Sequence, residues 1–376
     1  MNRSLVLCII LSLLISCKQN PEPGKHSPVK SVVENNGMVV TAHPVATDIG
    51  VEILKAGGNA VDASIAVQFA LAVCFPVAGN LGGGGFMLYR DAGGQVAALD
   101  YRETAPSRST KDMYLDAKGN AVTDLSQHGH LACGIPGTVA GLYEAFQKYS
   151  QLKDWKKLVE PAILLASKGV VLTAKEAEGL NNNRELFLKV NKVSTVFTDK
   201  EWKEGDLLIQ ADLAKTLERI RDLGKDGFYK GETARYIVEE MKRGGGIISS
   251  DDLANYQAKW RTPLSTMYRG YKVHLMPPPS SGGVALIQLL ESVEPFDLRK
   301  MSFQSVSTIH LMVEAERRVY ADRASHLGDS DFYQVPVEGL TDSNYIAMRM
   351  KDFDPVQAGR SSKLDAGQPN ESDQTT

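Results

Sequence analysis

The sequence predicts a helix-rich α/β (α+β) fold of the kind that carries an enzyme, and three observations predict it. Apolar residues recur at helical spacing in eight separate stretches, a pair of strand-like runs flanks a glycine turn, and 43% of the 376 residues are hydrophobic. A chain of that length and composition buries a sizeable core in one large domain or two ordinary ones.

In chain order, Ile49, Ile53 and Leu54 mark a helix from Val45 to Ala56 that Gly57 and Gly58 stop. Val61, Ile65, Phe69 and Ala72 mark a second, whose other face is alanine-rich and expected to be buried as well. A glycine loop, "GNLGGGG", leads into "FMLYRDAGGQVAALDYRE", two strands joined by Ala92, Gly93 and Gly94. Further helices are predicted over 138–149, 155–168, 211–223, 232–243, 281–293 and 305–326. "GYKVHLMPPPSSGG" reads as a short strand, a proline wall and a turn into a helix. From Pro355 to Gln374 apolar residues are few, which predicts a flexible surface segment. Strands are too few for a complete sheet, and the chain closes on "NESDQTT", a polar run that suggests a cut through something larger.

The two ends carry further signals. Arg3 precedes an apolar run from Leu5 to Ile15, too short to span a bilayer and built like a secretory signal. It ends Leu14-Ile15-Ser16-Cys17, which resembles a bacterial lipoprotein signal. Residues 1–16 are therefore expected to be removed, Cys17 to be lipidated, and 17–36 to form a polar tether, placing the protein in the periplasm or cell envelope. Cys74 and Cys133 then remain, both in apolar surroundings and expected to be free, buried thiols.

Charge is close to balanced, 42 basic against 45 acidic residues, with no basic stripe, so a small-molecule partner is expected and nucleic acid is not. The glycine loop lacks the strand–loop–helix order and the Lys-Ser/Thr of a phosphate loop; glycines that let backbones approach are the better reading. "HGH", His128 to His130, has no ligand partner at metal spacing nearby, so no metal is expected. "DYRETAP" stands out: Arg102 leaves a strand beside Glu103, where a guanidinium fork can grip a carboxylate or form a structural ion pair.

Eight stretches occur in one order: "TAHPVATDIGVEILKAGGNAVDASIAV", "GNLGGGGFML", "DYRETAP", "GIPGTVAGL", "EPAILLASKG", "GFYKGETA", "MPPPSSGG" and "AERRVYADR". Together they resemble the large subunit of γ-glutamyltranspeptidases, over about Gly37 to Thr376. The resemblance implies an N-terminal-nucleophile hydrolase, an αββα sandwich that is made as a proenzyme and cuts itself into two subunits. Here it would lack the small-subunit half, with 37–354 as the large-subunit domain and 355–376 as the segment ending at the junction. The family cut lies before a Thr in a Thr-Thr-His-(Tyr/Phe)-Ser run, and Gln374, Thr375 and Thr376 match its start.

The resemblance thus makes Thr375 the nucleophile, Gln374–Thr375 the cleaved bond and Arg102 the group that holds the donor's α-carboxylate. It implies transfer of a γ-glutamyl group from glutathione or related amides to amino acids, dipeptides or water, without metal or organic cofactor. The partner protein would be the chain's own small subunit, and residues 1–376 by themselves would be inactive. Two rivals are a cephalosporin or glutaryl acylase-like relative and a non-catalytic truncated lipoprotein.

Overall fold

The computed structural model describes residues 32–369, which divide into two compact units, 34–263 and Leu264 onward. All eight expected helices are present, together with others.

In the first unit, α1 (Pro44–Lys55) starts at His43, whose Nδ1 accepts the Val45 N–H. Helix α2 (Ala60–Cys74) begins in a capping box, with the Asn59 side chain on the N–H groups of Val61 and Asp62 and the Asp62 carboxylate on the Asn59 N–H. Both faces of α2 are buried, the alanine side included, so it runs through the core rather than along the surface. Strands β1 (Phe86–Arg90) and β2 (Val96–Asp100) form the expected antiparallel hairpin, and the turn needs Gly94 because its φ is +88°. Lys259–Arg261 adds a third strand, pairing Leu99 with Trp260.

A short surface helix, α3 (Thr123–Gln127), follows; α4 (Thr138–Tyr149) and α5 (Trp155–Lys168) pack against α2. The Trp155 ring meets Phe69 edge-on at 5.6 Å, while its indole N–H donates to the Ile220 carbonyl at 2.9 Å. Aromatic bulk is thus buried with its one polar atom satisfied. Helix α6 (Ala174–Val190) was not foreseen. Only Ala177 of it is buried, so it lacks an apolar stripe, although Thr173 and Glu176 form a capping box at its start.

The second unit opens with a hairpin, Leu264–Tyr268 against Tyr271–Leu275. Its core gathers Leu275, Val284, Ile287, Leu340, Tyr345 and Ile346, supplied in part by helices Gly282–Val293 and Ser343–Arg349. The long helix Val306–His326 turns a buried polar face inward: Glu314, Arg318 and Asp322, four residues apart, are all buried. The segment after residue 354 has a single 3₁₀ turn, Ser361–Lys363, and most of its side chains are exposed. Its backbone is nonetheless tied to the long helix at several points as far as Gly367.

Candidate active site

Arg102 is exposed at the end of β2, on a length of backbone fixed from every side. The strand ladder continues past the last strand residue: Gly85 N–H donates to the Tyr101 carbonyl at 3.2 Å and Tyr101 N–H to the Gly85 carbonyl at 3.0 Å. Asp100 accepts the Arg102 N–H on Oδ1 at 3.1 Å, and its Oδ2 is held by Arg261 through Nε at 2.9 Å and Nη2 at 2.8 Å. The Tyr256 hydroxyl donates to the Arg102 carbonyl at 2.7 Å. Two residues on, Thr104 exchanges backbone hydrogen bonds with Ile135, and the Asp252 carboxylate takes the Ser107 N–H at 2.9 Å. Both backbone groups of Arg102 are therefore satisfied without its side chain.

The glycine loop packs against this turn. A Cβ on Gly84 would stand 2.5 Å from the Tyr101 carbonyl oxygen, and one on Gly137 would stand 2.0 Å from the same atom and 2.2 Å from the Tyr256 hydroxyl. None of Gly82 to Gly85 has a positive φ, so these glycines serve close approach and not an unusual backbone shape. The Gly83 carbonyl accepts from Gly137 N–H at 2.7 Å and Thr138 N–H at 3.1 Å. Those donors open α4, and a phosphate loop would have offered such groups to its ligand; here a carbonyl has them.

Three tyrosines stand behind the turn. The rings of Tyr229 and Tyr256 lie parallel at 5.8 Å; the Tyr229 hydroxyl donates to the Pro136 carbonyl at 2.8 Å and accepts from Ala140 N–H. Burial pushes the Tyr101 phenol up to about 12 and the phenols of Tyr229 and Tyr256 upward as well. They stay neutral at any working pH and act as fixed hydrogen-bonding groups, not as exchangeable acids. Nothing local in the sequence points to Tyr256, which lies 154 positions from the carbonyl that it holds.

Cys17, Gln374 and Thr375 lie outside the described residues. Of the two thiols, Cys74 is free and buried, and burial raises it to about 11. Cys133 is free but exposed, against expectation: it follows the 3₁₀ turn His130–Ala132, with Sγ 3.6 Å from the Gly129 carbonyl. His128 pairs with Asp124 and the buried His130 with Glu240, each through one ring nitrogen. Among the described residues no three His, Cys, Asp or Glu side chains gather as a metal site, and no helix is long and apolar enough to cross a membrane.

Comparison with known proteins agrees with this architecture. The family model described as Gamma-glutamyltranspeptidase matches residues 46–376. The chain is 47% identical over 345 residues to the glutathione hydrolase proenzyme of Escherichia coli strain K12, covering 90% of this chain and 59% of that protein. To the glutathione hydrolase proenzyme of Pseudomonas sp. strain A14 it is 42% identical, covering 98% of this chain and 64% of that protein. The crystal structure of Helicobacter pylori γ-glutamyltranspeptidase superposes with a TM-score of 0.86 at 44% identity, over 92% of this chain and all of that one. The fold is thus that of an N-terminal-nucleophile hydrolase, mixed α/β and helix-rich. The chain belongs to the γ-glutamyltranspeptidase family. It spans about three-fifths of the length of the curated relatives it matches.

Proposed function

We propose that the full-length protein moves γ-glutamyl groups from glutathione or other γ-glutamyl amides to amino acids, dipeptides or water, and so serves glutathione breakdown. The observation that carries this reading is the Arg102 turn: an exposed arginine on backbone that two strands, three tyrosines and several close-packed glycines hold still. A planar guanidinium presented on a rigid support binds a carboxylate at two points and fixes which carbonyl of the donor reaches the nucleophile.

The nucleophile in this reading is Thr375. Its hydroxyl oxygen first attacks the Gln374 carbonyl; the peptide C–N bond breaks, nitrogen takes the proton, and an ester remains. Water hydrolyses the ester, leaving a Gln374 carboxylate and a Thr375 with a free α-amine. A free α-amine has a reference pKa of about 7.7–8.0, so near neutral pH it can accept the hydroxyl proton where a lysine would stay charged. The same oxygen then attacks the γ-glutamyl carbonyl, and the acyl-threonine ester passes to an amine or to water. The reading calls for no metal or cofactor. The remaining donor contacts and the oxyanion hole would come from the small subunit of the heterodimer, so residues 1–376 expressed alone are expected to show no turnover.

The domain plan that goes with it is a signal peptide to residue 16, a lipid anchor on Cys17 with a tether to 36, a large-subunit domain over 37–354 and a junction segment over 355–376. In the full-length protein, Thr375→Ala should stay one uncut polypeptide without transferase or hydrolase activity, whereas Thr376→Ala should still process at least in part. Turnover of glutaryl amides that lack the α-amino group, in preference to γ-glutamyl anilides, would favour an acylase instead. Cys17→Ser should move the protein from the detergent phase to the soluble fraction, and equal partitioning of both forms would remove the anchor.

A further inference from the structure

Glu314, Arg318 and Asp322 are 3%, 4% and 1% exposed, and buried charges are costly unless they are paired and hydrogen-bonded. Some of that pairing is internal. Arg318 Nη1 meets Glu314 Oε2 at 2.8 Å, and Asp322 is gripped by Arg349 and by the Tyr345 hydroxyl. Arg318 also reaches the Asp352 carboxylate at 2.7 Å and the Arg349 carbonyl at 2.8 Å, and the two carboxylates take the backbone of the segment that follows. Gly359 N–H donates to Glu314 Oε1 at 2.9 Å, and Gly367 N–H to Asp322 Oδ1 at 2.8 Å. Arg349 Nη2 donates to the Asp365 carbonyl at 2.9 Å; His310 and His326 place Nε2 2.8 Å from the carbonyls of Asp354 and Gly367.

Glycine stands where the backbone comes nearest the carboxylates. A Cβ on Gly367 would lie 2.3 Å from the Tyr345 hydroxyl and 2.7 Å from Arg349 Cδ; one on Gly359 would lie 2.7 Å from Arg317 Nη1. Neither glycine has a positive φ, so each serves approach. A segment with mostly exposed side chains gains little from apolar burial, yet two buried carboxylates, Glu314 and Asp322, hold its backbone at two glycines.

We propose that this face of helix Val306–His326 is a positioning clamp for self-cleavage, with Asp322, Arg349 and His326 fixing Gly367 so that the bond after Gln374 is presented to Thr375. The proposal rests on the reading of Gln374–Thr375 as the junction. The seven residues from Gln368 to Gln374 reach about 25 Å at most when fully extended, so anchoring Gly367 confines where the bond can go. An intramolecular attack gains rate from every degree of freedom lost beforehand, and the clamp removes those upstream of the junction. The clamp residues touch neither reacting atom; they position.

The test is processing of the full-length proenzyme, followed by gel and mass spectrometry from a purified precursor. Gly367→Ala should slow appearance of the two fragments about tenfold or more, and Gly359→Ala, which meets the movable end of Arg317 and, at 3.1 Å, Glu314 Oε2, by less. Once fully processed, both variants should show wild-type kcat/KM, because the clamp acts before the mature site exists. Val356→Ala, in the same segment at an exposed side chain, should process at the wild-type rate. Wild-type processing by Gly367→Ala would overturn the proposal, as would equal losses in processing and in mature kcat/KM, which mean general damage. Should Gly367→Ala fail to fold, Gly359→Ala decides: unchanged processing there overturns it. A wild-type cut at a bond other than Gln374–Thr375 removes the junction reading itself, which is a different result from an intact cut that the glycine variants leave untouched.

Discussion

The turn that carries Arg102 and the strap from Asp354 to Gly367 are both irregular backbone held against helices, and both use glycine where the approach is closest. They differ in what holds them. The turn extends a strand ladder and rests mainly on Tyr101, Tyr229 and Tyr256, whose rings lie in the main core of their unit, while the carboxylates of Asp100 and Asp252 take N–H groups along it. The strap runs outside any core and hangs on polar and charged side chains of two helices, Val306–His326 and Ser343–Arg349. A support built largely of neutral groups in a packed core is less sensitive to pH and salt. An ionic one holds firmly only while its acidic side stays charged, as Glu314 does at neutral pH. The first suits a site that must meet the same ligand at every turnover. The second suits a backbone whose position matters once, before the chain is cut.

The largest effect on this contrast is expected from Arg102 itself. Arg102→Ala should lower kcat/KM for a γ-glutamyl anilide by about 30-fold or more, and Arg102→Lys by less, since it keeps the charge but loses the planar fork. Steady-state kinetics on the processed enzyme measure this, and an unchanged Arg102→Ala would break the functional half of the comparison. Tyr256→Phe should cost about 1–3 kcal/mol of stability by leaving the Arg102 carbonyl without its donor. It should raise KM with little change in kcat, because the guanidinium remains but stands less still; thermal unfolding and kinetics together would show it.

Acid sharpens the comparison from the other side. Burial pushes the Glu314 carboxyl up, but hydrogen bonds from Arg318, Gly359 and Arg317 outweigh it and hold the group below the usual glutamate range. A depressed folded pKa means that the stabilisation is fully present at neutral pH. It begins to fade below the unfolded value of about 4.3 and is lost as pH drops through the folded value. Hydrogen exchange corrected for its own pH dependence should therefore show the Gly359 amide losing protection below about pH 4, while the Gly137 amide, bonded to the Gly83 carbonyl, keeps it.

Much of the helical frame was legible because its cause is local. Val61, Ile65 and Phe69 share a face at any reading of the period, and glycine stops such as Gly57 and Gly169 are written beside the helices that they end. Ala174–Val190 escaped because tertiary packing uses so little of it, though Thr173 and Glu176 were there as a start signal. The pairs Val170–Val171 and Leu207–Leu208 are too short for any alternation to show. Arg102 was legible as a candidate from its place after a strand, but its support was not: Gly137 and Tyr256 lie 35 and 154 positions further on, and no local pattern encodes that meeting. "AERRVYADR" was visible as a motif, whereas Asp322 within it meets its backbone partner, Gly367, 45 residues further on.

The central claim is that one threonine serves both as the point of cleavage and as the nucleophile of a γ-glutamyl-transferring enzyme. The most direct measurement is the N-terminal sequence of the small subunit from the full-length protein, followed by mass spectrometry of that subunit trapped with a γ-glutamyl donor. The account predicts a first residue of Thr375 and a γ-glutamyl ester on that same residue. A first residue other than Thr375, or an acyl group carried elsewhere in the subunit, would contradict it.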